Sequence, residues 1–432
     1  MKSQPHKLGT MGLTVHYVAS VLGVGVLILP GAVYRIAGES AMLAWLLLVL
    51  FSWPFARAFA EISIRHPTAS GVIDLIEQVF GKTVSSAIAL FLLATLIIAN
   101  PLLGVASGRF ALEAFAIPAE GGVFYVAGYA VILITAMLNI FGLRANIAVQ
   151  STVLILLILV LLWICTAALV SMPGKFLTGN FLILEKIDPY LVVSGMLLAF
   201  FGFIGWENAA PVAGDVKTPS ATYPNAIKLG IGLVGGLYIY MAYVVSQTME
   251  IIDADVDGLL FFKNLIAYLY GADAAQYAAL IAALLMFLTM NAWTLGTSKY
   301  LHGLVSKGEF GQVKSDRGNL RTMNEKTAII LVVAAYGLVV LCLAFTGGAE
   351  ISLIKLSSGL FLLFFIISLL SVCIILKEWR YRVPIIFVIS LLIILFCSSV
   401  ANILISLSLL SLAFCIVAGI TKYKTGAIAV RR

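Results

Sequence analysis

Residues 19–30 read ASVLGVGVLILP, a stretch that sets two glycines, Gly23 and Gly25, inside an apolar run and closes it with Pro30. In a helix interior a glycine costs about 1 kcal/mol relative to alanine and a proline about 3 kcal/mol. A similar pattern recurs at residues 200–211, FFGFIGWENAAP, where Gly202, Gly205 and Pro211 crowd a second apolar run. In hydrocarbon an unpaired backbone N–H or C=O costs several kcal/mol, so interrupted helix survives only where it faces protein, water or a ligand. Two interruptions of this kind imply a cavity.

The rest of the chain supplies the membrane. Of its 432 residues 62% are hydrophobic and 11% charged, and the mean hydropathy is +1.09. A soluble domain has roughly 45–50% apolar and 25% charged residues. The apolar runs reach the roughly 20 residues that cross a bilayer as helix and lack the ten-residue alternation of an outer-membrane barrel. The pattern predicts an all-α polytopic membrane protein with about twelve transmembrane helices. They fall near residues 9–37, 40–64, 84–113, 121–140, 146–170, 190–213, 224–247, 275–306, 326–346, 351–376, 384–399 and 400–421. The first and sixth carry the breaks. MKSQPHKLGT is followed by no small-residue cleavage site, so the first helix is expected to stay in the protein.

With a cytoplasmic N-terminus, all of the 27 Lys and Arg residues except Arg35, Arg109, Lys175, Lys186, Lys263 and Lys355 fall on the inside. That obeys the positive-inside rule and puts both termini in the cytoplasm of a cell-membrane protein. It also explains the pI near 9.1 without nucleic acid. Five cysteines, all inside apolar runs without CxxC spacing, suggest packing and no disulfide framework. His6, His16, His66 and His302 are scattered and show no metal-ligand spacing. Neither a cofactor nor a metal is expected.

No linker divides the chain, which reads as one transmembrane domain. The breaks stand five helices apart, and an odd number of intervening spans inverts topology. Helices 1–5 (about 9–170) and 6–10 (about 190–376) thus pair as a 5+5 inverted repeat, followed by two C-terminal helices at about 384–421. Where helix 1 resumes, near Gly25 to Leu27, free amides and the positive helix end suit a carboxylate. Where helix 6 first stops, near Phe201 to Ile204, freed carbonyls suit an ammonium group. Together they describe the backbone of an amino acid. Close helix packing is the alternative use of Gly23 and Gly25. Glu207 is the only acidic residue placed near mid-membrane, and it reads equally as a functional carboxylate or as a structural acceptor for freed amides. Asn100 and Pro101 mark a kink. The Ser and Thr residues of TMNAWTLGTSKYLHG (289–303) either line a pathway or bond back to their own helix.

Four stretches resemble the amino acid, polyamine and organocation permeases: GVGVLILP (23–30), AEISIRHPTASGVIDLIEQVFG (60–81), FFGFIGWENAAPVAGDVKTPSATYP (200–224) and NAWTLGTSKYLHGLVSKGEFG (291–311). The match spans helices 1–8. It implies alternating access in the broken-helix fold shared with sodium-coupled neurotransmitter transporters. The substrate carboxylate would sit on amides around Gly23, Val24 and Gly25, with Val26 beside them. The amine would sit on carbonyls around Val21, Phe201 and Ile204. Phe201 matches an aromatic gate and Glu207 a recurring glutamate of gating or coupling. Many relatives have a small polar residue where Val24 stands. The lysine that some proton-coupled relatives carry in helix 5 corresponds to Leu157, so a coupling proton or sodium ion is left open. A looser likeness, carried by that missing lysine and by FARAFAEISIRHP (55–67), is to exporters of methionine and branched-chain residues. Phe201, Phe203 and Trp206, without a neighbouring basic residue, favour a neutral apolar side chain. The expectation is a transporter rather than an enzyme, importing or exporting neutral amino acids. A membrane sensor that binds without transport, or a transporter of another amine such as a polyamine, is the competing reading.

Overall fold

A computed structural model describes residues 8–22, 25–65, 72–119, 122–142, 147–171, 184–206, 216–252, 258–306, 323–347 and 350–429. Their regular structure is helical apart from one parallel bridge, Leu8 to Val216, at which the Lys217 amide donates to the Leu8 carbonyl at 3.0 Å. In chain order the helices are α1 (Thr10–Leu22), α2 (Gly25–Ala37), α3 (Ala41–Arg65), α4 (Val72–Ala99), α5 (Pro101–Ala114), α6 (Val123–Ile140), α7 (Ile147–Ser171) and α8 (Pro189–Ala199). There follow α9 (Pro219–Ile252), α10 (Phe261–Tyr270), α11 (Ala272–Ser306), α12 (Glu325–Thr346), α13 (Glu350–Ile375), α14 (Trp379–Cys397) and α15 (Val400–Ala429).

Among the described residues nine helical stretches are long and apolar enough to cross a membrane, and Thr10–Leu22, Ile158–Ser171 and Pro189–Phe203 are shorter apolar helices. Each of the twelve expected stretches overlaps a described helix. The count of nine differs because the first, fifth and sixth are represented by those shorter pieces. In the first, α1 stops at Leu22 and α2 starts at Gly25; Gly23 and Val24 lie outside the described residues. In the sixth, α8 tightens into a 3-10 turn at Phe200–Phe203, and Glu207 to Asp215 lie outside them.

Two helical segments were not anticipated. α4 begins at Val72 and turns sharply at Gly81, whose φ of 82° falls where glycine carries no Cβ penalty. α10 is only ten residues long, below spanning length, and buries Phe261, Phe262, Leu265 and Ile266 on one side. At the far end of the chain only Ser398 and Ser399 separate α14 from α15, and the Ser399 hydroxyl caps α15 by accepting from the Asn402 amide at 3.3 Å.

The helices pack in two neighbourhoods. α1 and α3 lie against α9, and α2 and α3 lie against α8. α5 lies against α6 and α11, and α4 against α13 and α15. Gly104, Gly108 and Gly128 let α5 and α6 meet backbone to backbone: a Cβ on Gly128 would stand 2.6 Å from the Val105 Cα. This small-xxx-small contact is how helices associate where no hydrophobic effect separates them from lipid.

Candidate functional site

The ends of α1 and α2 and the 200–206 turn cross in direct backbone contact. Gly205 has φ 130°, and a Cβ there would stand 2.6 Å from the Ser20 carbonyl oxygen. A Cβ on Gly25 would stand 3.1 Å from the Gly202 Cα and 2.8 Å from the Tyr238 hydroxyl. Tyr238, fully buried on α9, donates to the Gly202 carbonyl at 3.3 Å. Gly25 therefore serves close packing whatever else it does. As the first residue of α2 it also opens the four N–H groups, Gly25 to Ile28, that have no acceptor within their own helix.

Beside this crossing lies a cavity of about 40 Å³. Ser20, Val21, Gly25, Phe201 and Ile204 form one wall; Ala99, Asn100 and Leu103 of the α4–α5 junction, Thr289 and Trp293 of α11, and Phe361 of α13 form the other. No charged side chain is among these lining residues. One water occupies about 30 Å³ in the liquid and ligand pockets run to about 300–1,000 Å³, so an amino acid fits only after the walls separate.

Of the residues singled out from sequence, Val21, Gly25, Phe201 and Ile204 meet at this cavity. Val26 is fully buried one residue into α2 and is not on its wall. Phe203 and Trp206 point the other way, into a second small cavity shared with Phe200, Leu48 and Phe55 and with Val388 and Leu391 of α14. The 3-10 turn has three residues per turn and so sets Phe200 and Phe203 on one side; the chain leaves it through extended Ile204 and through Gly205, with φ 130°, after which Trp206 also faces the second cavity while Phe201 and Ile204 face the first. Phe203 stacks on Tyr238 at 5.5 Å between ring centroids, Tyr238 on Trp45 at 4.6 Å, and Trp206 tilts against Tyr17 at 5.3 Å. Gly23, Val24 and Glu207 lie outside the described residues, as does the side chain of Leu157. The Phe201 carbonyl accepts from the Ile204 amide at 3.4 Å, which leaves one of its two lone pairs.

The second wall was largely missed from sequence. Asn100 is more than a kink: its amide donates to the Thr297 hydroxyl and to the Tyr336 hydroxyl, both at 2.8 Å, tying the α4–α5 junction to α11 and α12. Thr289 lines the cavity and also bonds back to the Leu285 carbonyl at 3.0 Å, so both uses foreseen for that segment occur in one residue. Further along, Asn139 donates to Asn291 Oδ1 at 2.8 Å and Ser107 to the Ala283 carbonyl at 2.9 Å. The available signal was the spacing of Asn291, Thr294 and Thr297 at three-residue steps, one face of α11.

Comparison with known proteins agrees with this architecture. Residues 8–418 match the model of the amino acid permease family. The chain is 23% identical over 333 residues to the uncharacterized amino acid permease YecA of Bacillus subtilis (strain 168), covering 74% of this chain and 75% of that protein. It is 24% identical over 286 residues to the L-methionine/branched-chain amino acid exporter YjeH of Escherichia coli (strain K12), covering 63% and 64%. Among solved structures, MhsT in complex with L-phenylalanine superposes with a TM-score of 0.66 at 14% identity, over 92% of this chain and all of that one. A manganese transporter of Eremococcus coleocola gives 0.59 at 12% identity, over 96% and 94%. These likenesses in structure are likenesses of fold. The chain is a multi-pass membrane transporter and belongs to the amino acid permease family.

Proposed function

We infer that the protein is a secondary transporter of neutral, apolar amino acids that works by alternating access. Twelve spanning helices are arranged as a 5+5 inverted repeat with breaks in helices 1 and 6, followed by two C-terminal helices. The carboxylate sits on amides around Gly23, Val24 and Gly25, and the ammonium on carbonyls at Val21, Phe201 and Ile204. The side chain lies against Leu103, Trp293 and Phe361. One observation carries the reading: a cavity lined by residues that flank both breaks, whose described walls are mainly apolar and aromatic, with the neutral polar Ser20, Asn100 and Thr289 and no charge. A cationic side chain buried there would have no carboxylate among those walls to repay its desolvation.

The exporter likeness supports the same substrate class, because the related protein's name specifies methionine and branched-chain residues. Glu207 is assigned to gating or coupling from its place in the sequence. The membrane is the cell membrane with both termini cytoplasmic, and the coupled ion is a proton or sodium. The test is counterflow in proteoliposomes loaded with leucine or methionine, with a panel of unlabelled amino acids and cadaverine as competitors, with and without sodium and a pH gradient. Exchange of leucine and methionine with no competition by cadaverine is the expected result. Binding without flux would make the protein a sensor, and failure to bind any amino acid removes the proposal.

A further inference from the structure

The short connection 376–378, which holds Lys377 and Glu378, and the first turn of α14, Trp379, Arg380, Tyr381 and Arg382, lie beside the end of α3, which contributes Arg57, Glu61 and Arg65. Several of these charges are already committed. Arg65 Nε donates to Glu61 at 2.8 Å, and its Nη1 and Nη2 donate to the two oxygens of Glu378 at 3.1 and 3.0 Å. Arg382 Nε donates to the carbonyls of Cys373 and Leu376, both at 3.0 Å, and closes the end of α13. Arg57 and Arg380 are exposed, and neither forms an ion pair with a described carboxylate.

These two guanidiniums nevertheless converge with a third. The central carbons of Arg57, Arg65 and Arg380 lie 5.8, 5.3 and 4.8 Å from the centre of the Tyr381 ring. A ring face at an exposed site offers a cation about 0.5–1 kcal/mol, and three cations within 6 Å of one point repel each other. The two carboxylates at hand both bond to Arg65, and Glu378 also feels the charge of Arg380, so two anions are shared among three guanidiniums. The cluster is short of an anion, and two forked guanidiniums are the donor geometry that a phosphate accepts bidentately.

The depth of the cluster identifies the source of that phosphate. Arg57 stands eight residues before the end of α3, about 12 Å down the helix axis at 1.5 Å per residue, within the apolar run FARAFA. Its side chain is exposed on the outer surface of the bundle and reaches back toward Tyr381, as a snorkelling arginine does at the edge of hydrocarbon. Trp379, next to Arg380 in the chain, is 79% exposed, where an interfacial indole belongs.

We propose that Arg57, Arg380 and Tyr381, flanked by Lys377 and Trp379, form a binding site for the phosphate headgroup of an anionic phospholipid. The site is separate from the substrate cavity and needs neither the transport reading nor the orientation of the termini. Each cation near a lipid phosphate contributes about fivefold in affinity. The test uses the purified full chain in neutral detergent, with phosphatidylglycerol, phosphatidylcholine or inorganic phosphate added and bound lipid counted by native mass spectrometry. Phosphatidylglycerol should be retained over phosphatidylcholine, and the Arg57→Gln/Arg380→Gln variant should lose that preference by about 25-fold while Arg57→Lys/Arg380→Lys keeps most of it. Lys377→Gln, on the exposed connection, should lose about fivefold with the fold untouched. Unchanged phosphatidylglycerol retention in the double and Lys377 variants overturns the proposal, as does equal displacement of the lipid by millimolar inorganic phosphate.

Discussion

The two walls of the cavity are held together by different physics. The wall built from α1, α2, the 200–206 turn and α9 is packed with aromatic rings, Tyr17 on Trp206 and Trp45 and Phe203 on Tyr238, and its backbones touch through Gly25, Gly202 and Gly205. The Tyr238 hydroxyl also donates to the Gly202 carbonyl across the crossing at 3.3 Å. The wall built from α5, α6, α11 and α12 is stapled by hydrogen bonds at Asn100, Ser107 and Asn139. Apolar contacts are non-directional and tolerate sliding; hydrogen bonds inside hydrocarbon are directional and costly to leave unmade. A transporter that opens by moving one wall against the other has in the first a part that can shift and in the second a part that resists.

The largest effect should come from the stapled wall. Gly108→Leu puts a side chain into the backbone of Gly128, where no flexible group can yield. Overpacking costs typically 1–3 kcal/mol and more against fixed backbone, so we expect a loss above about 3 kcal/mol and little monodisperse protein in size-exclusion chromatography. Phe201→Ala should do the reverse. Its half-buried ring lines the cavity from the ring-packed wall, so folded protein is retained while substrate flux falls about tenfold or more, about 1.4 kcal/mol. Normal flux in that variant would detach the 201–204 segment from transport. Gly25→Leu, by contrast, cannot separate loss of an amide contact from loss of packing, because Tyr238 and Leu29 already occupy the space.

That distinction between walls was only half legible in the sequence. Hydropathy located every long helix, because it rests on composition over many residues, and the glycines at 202 and 205 marked the turn that ends α8; the matching break at Gly23 and Val24 lies outside the described residues. The direction of Phe203 and Trp206 was not legible, because it depends on the tight turn at 200–203 and on the positive φ of Gly205 just after it, a local path that goes with packing against Trp45, Tyr17 and Tyr238. α10 was hidden because a ten-residue, largely apolar segment, interrupted by Lys263 and Asn264, carries no contrast among so many longer apolar runs. Asn139 was hidden because its meaning lies in Asn291, 152 residues away on another helix.

The Asn139–Asn291 pair gives an intermediate test. The double-mutant cycle Asn139→Ala, Asn291→Ala should return a coupling of about 0.6 kcal/mol and no more than about 1.7 in thermal unfolding, the range for hydrogen bonds between membrane helices. Flux per folded molecule should not change, because neither side chain touches the cavity. A fall in flux at constant stability would mean that this wall also moves.

The smallest effect belongs to a contact outside both walls, the ion pair between Arg65 and Glu378 that ties α3 to the start of α14. The Arg65 guanidinium beside Glu378 holds its carboxyl below the ordinary value of 4.5. A carboxyl depressed in the folded state contributes stability above its unfolded pKa and loses that contribution as pH falls through the folded one. Wild type and Glu378→Gln should therefore differ slightly in melting temperature near neutral pH and converge as the medium is acidified below 4.5. Added salt should shrink the same difference, because both groups face solvent and exposed pairs are screened. A difference that survives both acid and salt would show that Glu378 acts through packing rather than charge. The end of α3 would then be held as the stapled wall is, by contacts that do not yield when charge is removed.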